Sequence, residues 1–388
     1  MTQKIYSLGI LQRHPTQFDG PFFRQLAAHP AVELTVYYWN SNCINSIYDP
    51  ELNRKCGWDH DILSGYHYSI LPTNWIERLK ILFQISKAHD LLIISGYTSY
   101  VPLLTILFCK FNHAFIGLRS DNTFLHRKNN LKWKLKDFII PRIYKLFNIG
   151  FPVGSLAQLY MLTYGFEENQ LFLFPYAVDN SWLSQLCDKY RKHRKEIRFD
   201  LGIPDDAFVI LGIMKFIPRE NPMGLLRLFK RLLNSETNVY LIMVGDGSQR
   251  GEIESYIKLH HLEKRVILAG YQPYSLLPKF FAISEVFVHP ALYEPWGCSV
   301  NEAMACELPV IAASTVGASY DLIKNGINGY IYDAESEDDL CFFLQKLAKL
   351  DKESLQLMGQ QSKEIITKWS FNTSIKEIIR ALKSLEKL

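Results

Sequence analysis

The chain has 388 residues, of which 48% are hydrophobic and 21% charged, so it can form two domains, each with a sizeable core. Its formal net charge of +4 is only mildly basic and decides little by itself. Proteins that bind nucleic acid usually have a denser basic surface, so we predict no nucleic-acid partner. The seven cysteines are widely spaced without a Cys-x-x-Cys pair. This pattern argues against a disulfide framework or a zinc site and predicts a cytoplasmic location.

Short apolar runs alternate with helix-patterned segments along most of the chain. In the first half we predict strands at 4–11, 32–39, 91–95, 114–118, 149–153 and 171–174. In the second half we predict strands at 208–213, 239–244, 266–269, 286–289, 309–313 and 329–332. The alternation indicates βαβ units, and each series is long enough for its own doubly wound parallel sheet.

The polar, basic stretch 188–195 separates the two series and is interpreted as a solvated helix or linker. We therefore predict an N-terminal Rossmann-like domain at 1–185, a C-terminal one at 186–370 and a final helix at 371–388. Ligands of open α/β sheets bind at the carboxyl ends of the strands. The expected fold class is α/β, with two doubly wound domains facing across a cleft that holds a small molecule.

The segment 294–305 is the most informative part of the sequence about a ligand site. It connects two predicted strands. Ser299 and Glu302 form a Ser-x-x-Glu pattern, which predicts a capping box and a helix starting at Ser299. Phosphate would then bind the backbone amides of Gly297, Cys298, Ser299 and Val300. Glu294 and Glu302 could accept hydrogen bonds from sugar and ribose hydroxyls, a pattern that matches a nucleotide sugar. In the alternative interpretation, Glu302 only caps its helix and Glu294 is a loop acid.

Glu294 and Glu302, with seven residues between them, resemble the E-x7-E motif of retaining GT-B glycosyltransferases, especially family 4 (glycosyltransferase group 1). The resemblance covers nearly the whole chain and is strongest over 208–340. Other segments similar to the family are 14–18, 175–179, 241–247, 266–270, 315–318 and 325–329.

This resemblance implies roles for individual residues. Glu302 would hold the ribose hydroxyls, Glu294 would contact the donor sugar, and the backbone of 297–300 would receive the diphosphate. Gly245 and Asp246 belong to the family's glycine-rich turn and are expected at the donor site. Their spacing is not that of a dinucleotide fingerprint. The final helix would cross back to brace the first domain.

Lys215 follows a predicted strand and resembles the family's basic residue, which neutralises the departing diphosphate. The family has a lysine five positions later, where this chain has Glu220. Arg219 could compensate for this change, or the enzyme could be weak or inactive. Lys215 and Arg219 could alternatively be ordinary surface charges.

Residues near the ends of first-domain strands are expected on the acceptor side: His14, Asp19, Gly20 and Arg119. Asp19 and Gly20 would leave room for a ligand, or would form a structural turn. Many family members have a histidine in the loop that is 118–122 here, but this loop has none. Asp121 therefore joins Glu294, Lys215 and Arg219 as a catalytic candidate.

The segment 126–147 interleaves basic and apolar side chains. Such a helix can lie on an anionic membrane, which would suit a lipid-linked acceptor. Alternatively, it is a core helix with a solvated face.

We therefore predict a retaining transfer of a sugar from a nucleoside diphosphate sugar to a hydroxyl of a carbohydrate or lipid-linked acceptor. The setting would be polysaccharide or glycolipid assembly, in the cytoplasm or at the inner face of the membrane. Amides and cations can stabilise the leaving group, so we expect no metal and no cofactor. The alternatives are a GT-B epimerase or hydrolase of nucleotide sugars, and a catalytically weak nucleotide-sugar binder.

Overall fold

The computed structural model describes residues 4–40, 46–52, 54–57 and 59–387. The chain forms two compact units. The first comprises Met1–Tyr48, Lys55–Tyr176 and Ser370–Leu388, and the second comprises Asp49–Arg54 and Ala177–Trp369. The sequence-based boundary between 185 and 186 falls inside a helix of the second unit.

The described residues of the first half of the chain form eight strands: β1 (Tyr6–Gln12), β2 (Val32–Tyr38), β3 (Ser46–Asp49), β4 (Arg54–Gly57), β5 (His67–Ile70), β6 (Leu91–Ser95), β7 (Ile116–Ser120) and β8 (Ile149–Pro152). Strands β3 and β4 pair with each other. The other six form a parallel sheet in the order β5-β2-β1-β6-β7-β8, with registers such as Leu8 opposite Leu34 and Leu91. This is a doubly wound sheet whose order reverses between β1 and β6.

The first unit contains helices α1 (Asp19–Ala27), α2 (Trp75–Ile85), α3 (Tyr100–Phe111), α4 (Leu131–Tyr144) and α5 (Ser155–Thr163). The helices of the second unit are α6 (Asn180–Arg191), α7 (Arg194–Asp200), α8 (Pro222–Leu232), α9 (Arg250–Leu259), α10 (Leu277–Ala282), α11 (Cys298–Ala305), α12 (Ser319–Leu322), α13 (Glu337–Ala348) and α14 (Lys352–Thr367).

The last helix, α15 (Phe371–Ser384), packs on the first unit, to which it belongs. The ring of Phe371 lies 5.8 Å from that of Phe22 on α1. Beyond the helix, Glu386 accepts a hydrogen bond from the Tyr6 hydroxyl at 2.8 Å. The helix therefore buries its apolar face where the sequence resemblance placed it.

The second unit has its own parallel sheet: β9 (Phe208–Ile213), β10 (Val239–Val244), β11 (Val266–Gly270), β12 (Val286–His289), β13 (Val310–Ala313) and β14 (Gly329–Tyr332). The order is β11-β10-β9-β12-β13-β14. Strands β9 and β10 are buried along nearly their whole length, as expected for apolar strands covered on both faces. The order of this sheet reverses between β9 and β12.

One predicted strand is wrong. Residues 171–174 form no strand, although the amides of Phe172 and Phe174 donate to the carbonyls of Gly150 and Pro152. Pro175 follows at once and has no amide with which to extend this pairing.

Cys43 lies outside the described residues, and the six described cysteines are free thiols. Within the described ranges, no helix combines the length and the apolar character needed to cross a bilayer.

Candidate functional site

The loops that leave β9 and β12 carry most of the predicted site in the second unit. Strand β9 ends at Ile213 and its neighbour β12 ends at His289. Ligands of parallel α/β sheets bind at the carboxyl ends of strands where the strand order reverses. The sheet therefore brings the segments 214–220 and 290–297 to one ligand-binding edge.

The loop 290–297 is held by backbone hydrogen bonds to the segment after β13. The amide of Gly317 donates to the carbonyl of Glu294 at 3.0 Å, and the amide of Ala318 donates to that of Trp296 at 2.9 Å. These bonds fix the backbone on which the Glu294 carboxylate is presented.

Helix α11 begins at Cys298, with Gly297 as its N-cap. Gly297 has φ 99°, a left-handed conformation that suits glycine. The capping box predicted for Ser299 and Glu302 is wrong, because Ser299 lies inside the helix. The Val300 amide donates to the Gly297 carbonyl at 3.0 Å, so it is not available to a phosphate as predicted. The positive end of the helix dipole lies at 297–299.

Glu302 is 3% exposed and lies inside α11. Burial raises the pKa of its carboxyl to about 8, while a hydrogen bond from Tyr274 opposes that rise. The ring of Tyr274 stacks on Trp182, with centroids 5.3 Å apart. At neutral pH the Glu302 carboxyl is therefore largely protonated and can both donate and accept hydrogen bonds.

Lys215 and Arg219 lie together at the end of β9, each paired with acids of the same unit. The Nζ of Lys215 is 2.7 Å from Asp49 Oδ2 and 2.6 Å from Glu51 Oε2. The Nε and Nη2 of Arg219 each lie 3.3 Å from Glu51 oxygens. The two cations are therefore parts of one ionic cluster and not isolated surface charges.

Burial alone would lower the pKa of both cations. Hydrogen bonds and charge from Asp49 and Glu51 outweigh burial and raise the pKa of Lys215, and Glu51 does the same for Arg219. In return, the hydrogen bond from Arg219 lowers the pKa of Glu51. Both cations therefore stay charged at neutral pH.

Glu220 lies beside Arg219 and is 6% exposed. The Nη1 of Arg219 is 2.8 Å from Glu220 Oε1 and 3.5 Å from Glu294 Oε2. Burial, together with the charge of Glu294, raises the pKa of Glu220 to about 7. Glu220 therefore anchors the guanidinium that lies next to Glu294.

Glu220, His289 and Glu294 place ligand atoms within 4.8 Å of one another, a spacing that could hold a metal ion. His289 is 3% exposed, and burial lowers its pKa to about 4, so the imidazole is neutral. However, the guanidinium of Arg219 already contacts both carboxylates and supplies positive charge at that point.

Gly245 and Asp246 support the loop that carries Lys215. A β-carbon on Gly245 would lie 1.8 Å from the carbonyl oxygen of Met214, so only glycine allows this approach. The carbonyl of Asp246 accepts the amide of Phe216 at 2.8 Å.

In the first unit, Arg119 and Asp19 form a pair with 3.3 Å between Nη1 and Oδ1. Arg119 is 7% exposed and its guanidinium lies 3.8 Å from the centre of the Phe174 ring. The expectation that Gly20 leaves room for a ligand is wrong. A β-carbon there would lie 2.6 Å from the Ile62 carbonyl oxygen, so protein backbone fills that space.

His14 and Asp121 lie near this pair. Burial lowers the pKa of His14, with a further contribution from Arg13. The Tyr176 hydroxyl donates to Asp121 at 3.3 Å, and the ring of Tyr176 lies 4.9 Å from the Arg119 guanidinium. The fold thus gathers the predicted first-unit residues other than Gly20 into one polar group.

Four residues that contact or adjoin the candidate site of the second unit were not predicted from sequence: Asp49, Glu51, Tyr274 and His289. His289 could have been found, because it ends a buried strand just as Lys215 follows one. The other three come from segments far away in sequence, and no local pattern pairs them with the site.

Residues 193–365 match the family model described as glycosyl transferases group 1. An uncharacterized glycosyltransferase of Methanocaldococcus jannaschii is 25% identical over 186 residues, which are 48% of this chain and 47% of the relative. The lipopolysaccharide 1,2-N-acetylglucosaminetransferase of Salmonella typhimurium is 28% identical over 195 residues, which are 48% of this chain and 51% of the relative. The chain spans about half the length of these relatives.

Among solved structures, that of Anabaena HepE in complex with UDP is similar, with a TM-score of 0.75 and 15% identity. The similarity covers 98% of this chain and 100% of the other. At this identity the likeness concerns the fold alone. It confirms the predicted fold class of two Rossmann-like α/β domains of the GT-B type.

Proposed function

We propose that this protein transfers a sugar from a nucleoside diphosphate sugar to an acceptor hydroxyl, as a family 4 retaining glycosyltransferase. The observation that carries the proposal is the meeting of Lys215, Arg219 and Glu294 with the start of α11 at one strand edge. The match of 193–365 to glycosyl transferases group 1 supports it.

The donor lies along the second unit with its diphosphate at the start of α11. Backbone at Gly297, Cys298 and Ser299 receives phosphate oxygens at the positive end of the helix dipole. The Glu302 carboxyl bonds the ribose hydroxyls, and Glu294 bonds hydroxyls of the transferred sugar. UDP is the first nucleotide to test, since the solved relative binds it.

Cations next to the diphosphate lower the barrier to transfer. The bond between the sugar's anomeric carbon and the phosphate oxygen breaks, and negative charge grows on the departing diphosphate. Lys215 and Arg219 neutralise that charge, with Arg219 compensating for Glu220. No metal and no cofactor is needed for this step, because the guanidinium and the helix amides supply the positive charge.

The acceptor is a carbohydrate or a lipid-linked saccharide. Its hydroxyl oxygen bonds to the anomeric carbon, and its proton passes to the leaving phosphate on the same face, so configuration is retained. His14, Asp19, Arg119 and Asp121 of the first unit form the acceptor side. The Salmonella relative named for lipopolysaccharide supports a role in polysaccharide or glycolipid assembly.

Helix α4 brings the enzyme to the cytoplasmic face of an anionic membrane. Its apolar side chains Leu131, Leu135, Phe138 and Ile139 are 81%, 57%, 60% and 40% exposed. Their spacing puts them on one helical face. The segment 126–147 has many cations and a single acid, Asp137. An exposed apolar stripe among cations suits binding at a membrane interface.

Donor turnover tests the proposal. The purified chain is incubated with UDP-, GDP- and ADP-sugars, with and without an acceptor extract, and nucleoside diphosphate release is measured. Release that requires acceptor, with the product anomer matching the donor, is the expected result. Glu294→Gln should lower kcat by at least about a hundredfold, since it removes a group at the reacting sugar. The control is Glu353→Gln, which changes an exposed glutamate away from the candidate site and should leave kcat unchanged.

Two other results would contradict a transferase. Release without any acceptor would indicate a hydrolase, and binding without turnover would indicate a nucleotide-sugar binder.

A further inference from the structure

The cations assigned to the leaving group form ion pairs with protein carboxylates. The segment Asp49–Arg54 belongs to the second unit and supplies both acids. Glu51 contacts both cations, Lys215 through one oxygen and Arg219 through two, while Asp49 contacts Lys215 alone.

These contacts are of the kind that a diphosphate would make. A carboxylate and a phosphate are both anions that only accept hydrogen bonds, and both form short charge-assisted bonds to ammonium and guanidinium groups. Lys215 is 33% exposed and Arg219 is 35% exposed, so each has limited room for further partners. An arriving diphosphate therefore meets cations whose donors are already partly used by protein carboxylates.

Charge makes simultaneous occupancy unfavourable. Around the two cations lie the carboxyls of Asp49, Glu51, Glu220 and Glu294. Burial raises the pKa of Glu220 to about 7, but the other three carboxylates alone outnumber the two cations. A bound diphosphate would add further negative charge to this partly buried cluster.

The acidic segment is also attached to the second unit at its other end. The guanidinium of Arg54 lies 4.6 Å from the centre of the Tyr271 ring, just after β11. A cation–π contact of this kind keeps the segment close to the strand edge when its acids release the cations.

We propose that Glu51, assisted by Asp49, competes with the donor diphosphate for Lys215 and Arg219 and thereby sets the affinity for the donor. This inference rests on the proposed function. Binding exchanges protein carboxylates for phosphate oxygens on the same two side chains. A ligand with two linked phosphates can replace both carboxylates, whereas a monophosphate replaces them less completely. The exchange therefore also favours diphosphates over monophosphates.

The test is titration of UDP, UMP and inorganic pyrophosphate into wild type, Glu51→Gln and Asp49→Asn by calorimetry. Glu51→Gln should bind UDP and pyrophosphate roughly three- to tenfold more tightly, as expected for loss of a competing, partly exposed ion pair. Its preference for UDP over UMP should shrink. Asp338→Asn is the matched control, because it removes a carboxylate paired with Arg231 elsewhere in the same unit. Its affinity should equal that of wild type.

A double-mutant comparison tests whether Glu51 acts through Lys215. In a Lys215→Met background, Glu51→Gln should lose much of its effect on UDP affinity, because one of the shared cations is gone. Thermal midpoints of all variants establish that each remains folded.

The outcomes separate this inference from the proposed function. If Lys215→Met and Arg219→Ala weaken UDP binding while Glu51→Gln leaves it unchanged, the competition is overturned and the donor site stands. If Glu51→Gln weakens binding, Glu51 is a ligand of the donor and the competition is again overturned. If neither cation variant changes the affinity, the diphosphate binds elsewhere and both assignments fail.

Discussion

At the scale of single residues, burial decides the protonation of two carboxyls at the candidate site. Glu220 and Glu302 are 6% and 3% exposed, and burial raises their pKa values to about 7 and about 8. Arg219 opposes the rise at Glu220, and Tyr274 opposes it at Glu302. The site therefore holds more protons than its acid count suggests.

This protonation predicts a pH dependence of stability. The folded pKa of Glu302 lies above the ordinary value, so the folded chain binds more protons between about pH 4.5 and pH 8. The free energy of unfolding should therefore fall as the pH rises through that window. Glutamine does not titrate, so the free energy of unfolding of Glu302→Gln should fall less over that window than that of wild type, by on the order of 1–3 kcal/mol.

Urea unfolding of wild type and Glu302→Gln at pH 5 and pH 8.5 checks this. Glu353→Gln, at an exposed position of α14, should follow wild type. If the free energy of unfolding changes with pH equally in wild type and Glu302→Gln, burial does not raise the pKa of Glu302.

At the scale of elements, strands are predictable where apolar runs are continuous. The ranges predicted for β9, β10, β12 and β14 agree with the structure, since the side chains of these strands are almost all buried, even in the edge strand β14. Strand β5 was not predicted, because its sequence His-Tyr-Ser-Ile is largely exposed and carries little apolar signal. The false strand at 171–174 shows that an apolar run next to proline can be buried without forming a ladder.

Capping was less predictable than strand position. The Ser-x-x-Glu pattern placed the start of α11 at Ser299, but Gly297 adopts the left-handed cap and the helix starts at Cys298. Contacts such as Glu51 with Lys215 link residues far apart in sequence, so local patterns cannot reveal them. The sequence therefore pointed to Lys215, Arg219, Glu294 and Glu302, but not to Asp49 and Glu51, which pair with the two cations.

Another prediction concerns the binding of helix α4 to anionic membranes. The double variant Leu135→Ser and Phe138→Ser should bind vesicles containing phosphatidylglycerol at least about tenfold more weakly than wild type, because it removes two exposed apolar side chains. Wild-type binding should weaken at high salt and on vesicles of phosphatidylcholine alone. Co-sedimentation with vesicles measures both effects.

The matched control is Phe342→Ser, which changes a side chain in the second unit that is 59% exposed. Equal vesicle binding by the α4 variant and wild type would exclude the proposed membrane surface.

At the scale of the whole molecule, the chain repeats one topology. Both sheets have the third-second-first-fourth-fifth-sixth order, and in both the order reverses beside the first strand. In the second unit that position carries Lys215 after β9. In the first unit it carries His14 and Asp19 after β1. Each unit thus presents polar groups at its own switch point, where ligands of such sheets bind, and the proposed transfer would use one point for each substrate.

The second unit is proposed to bind a nucleoside diphosphate through the start of α11 and the loop after β9, and the other functional assignments depend on this binding. A thermal-shift comparison of UDP, GDP and ADP first selects the nucleotide that stabilises the chain most. Hydrogen–deuterium exchange is then followed with and without that nucleotide. We predict slower amide exchange in the segments 214–220 and 294–303. Unchanged exchange in both segments at saturating nucleotide, with protection elsewhere, would contradict the account.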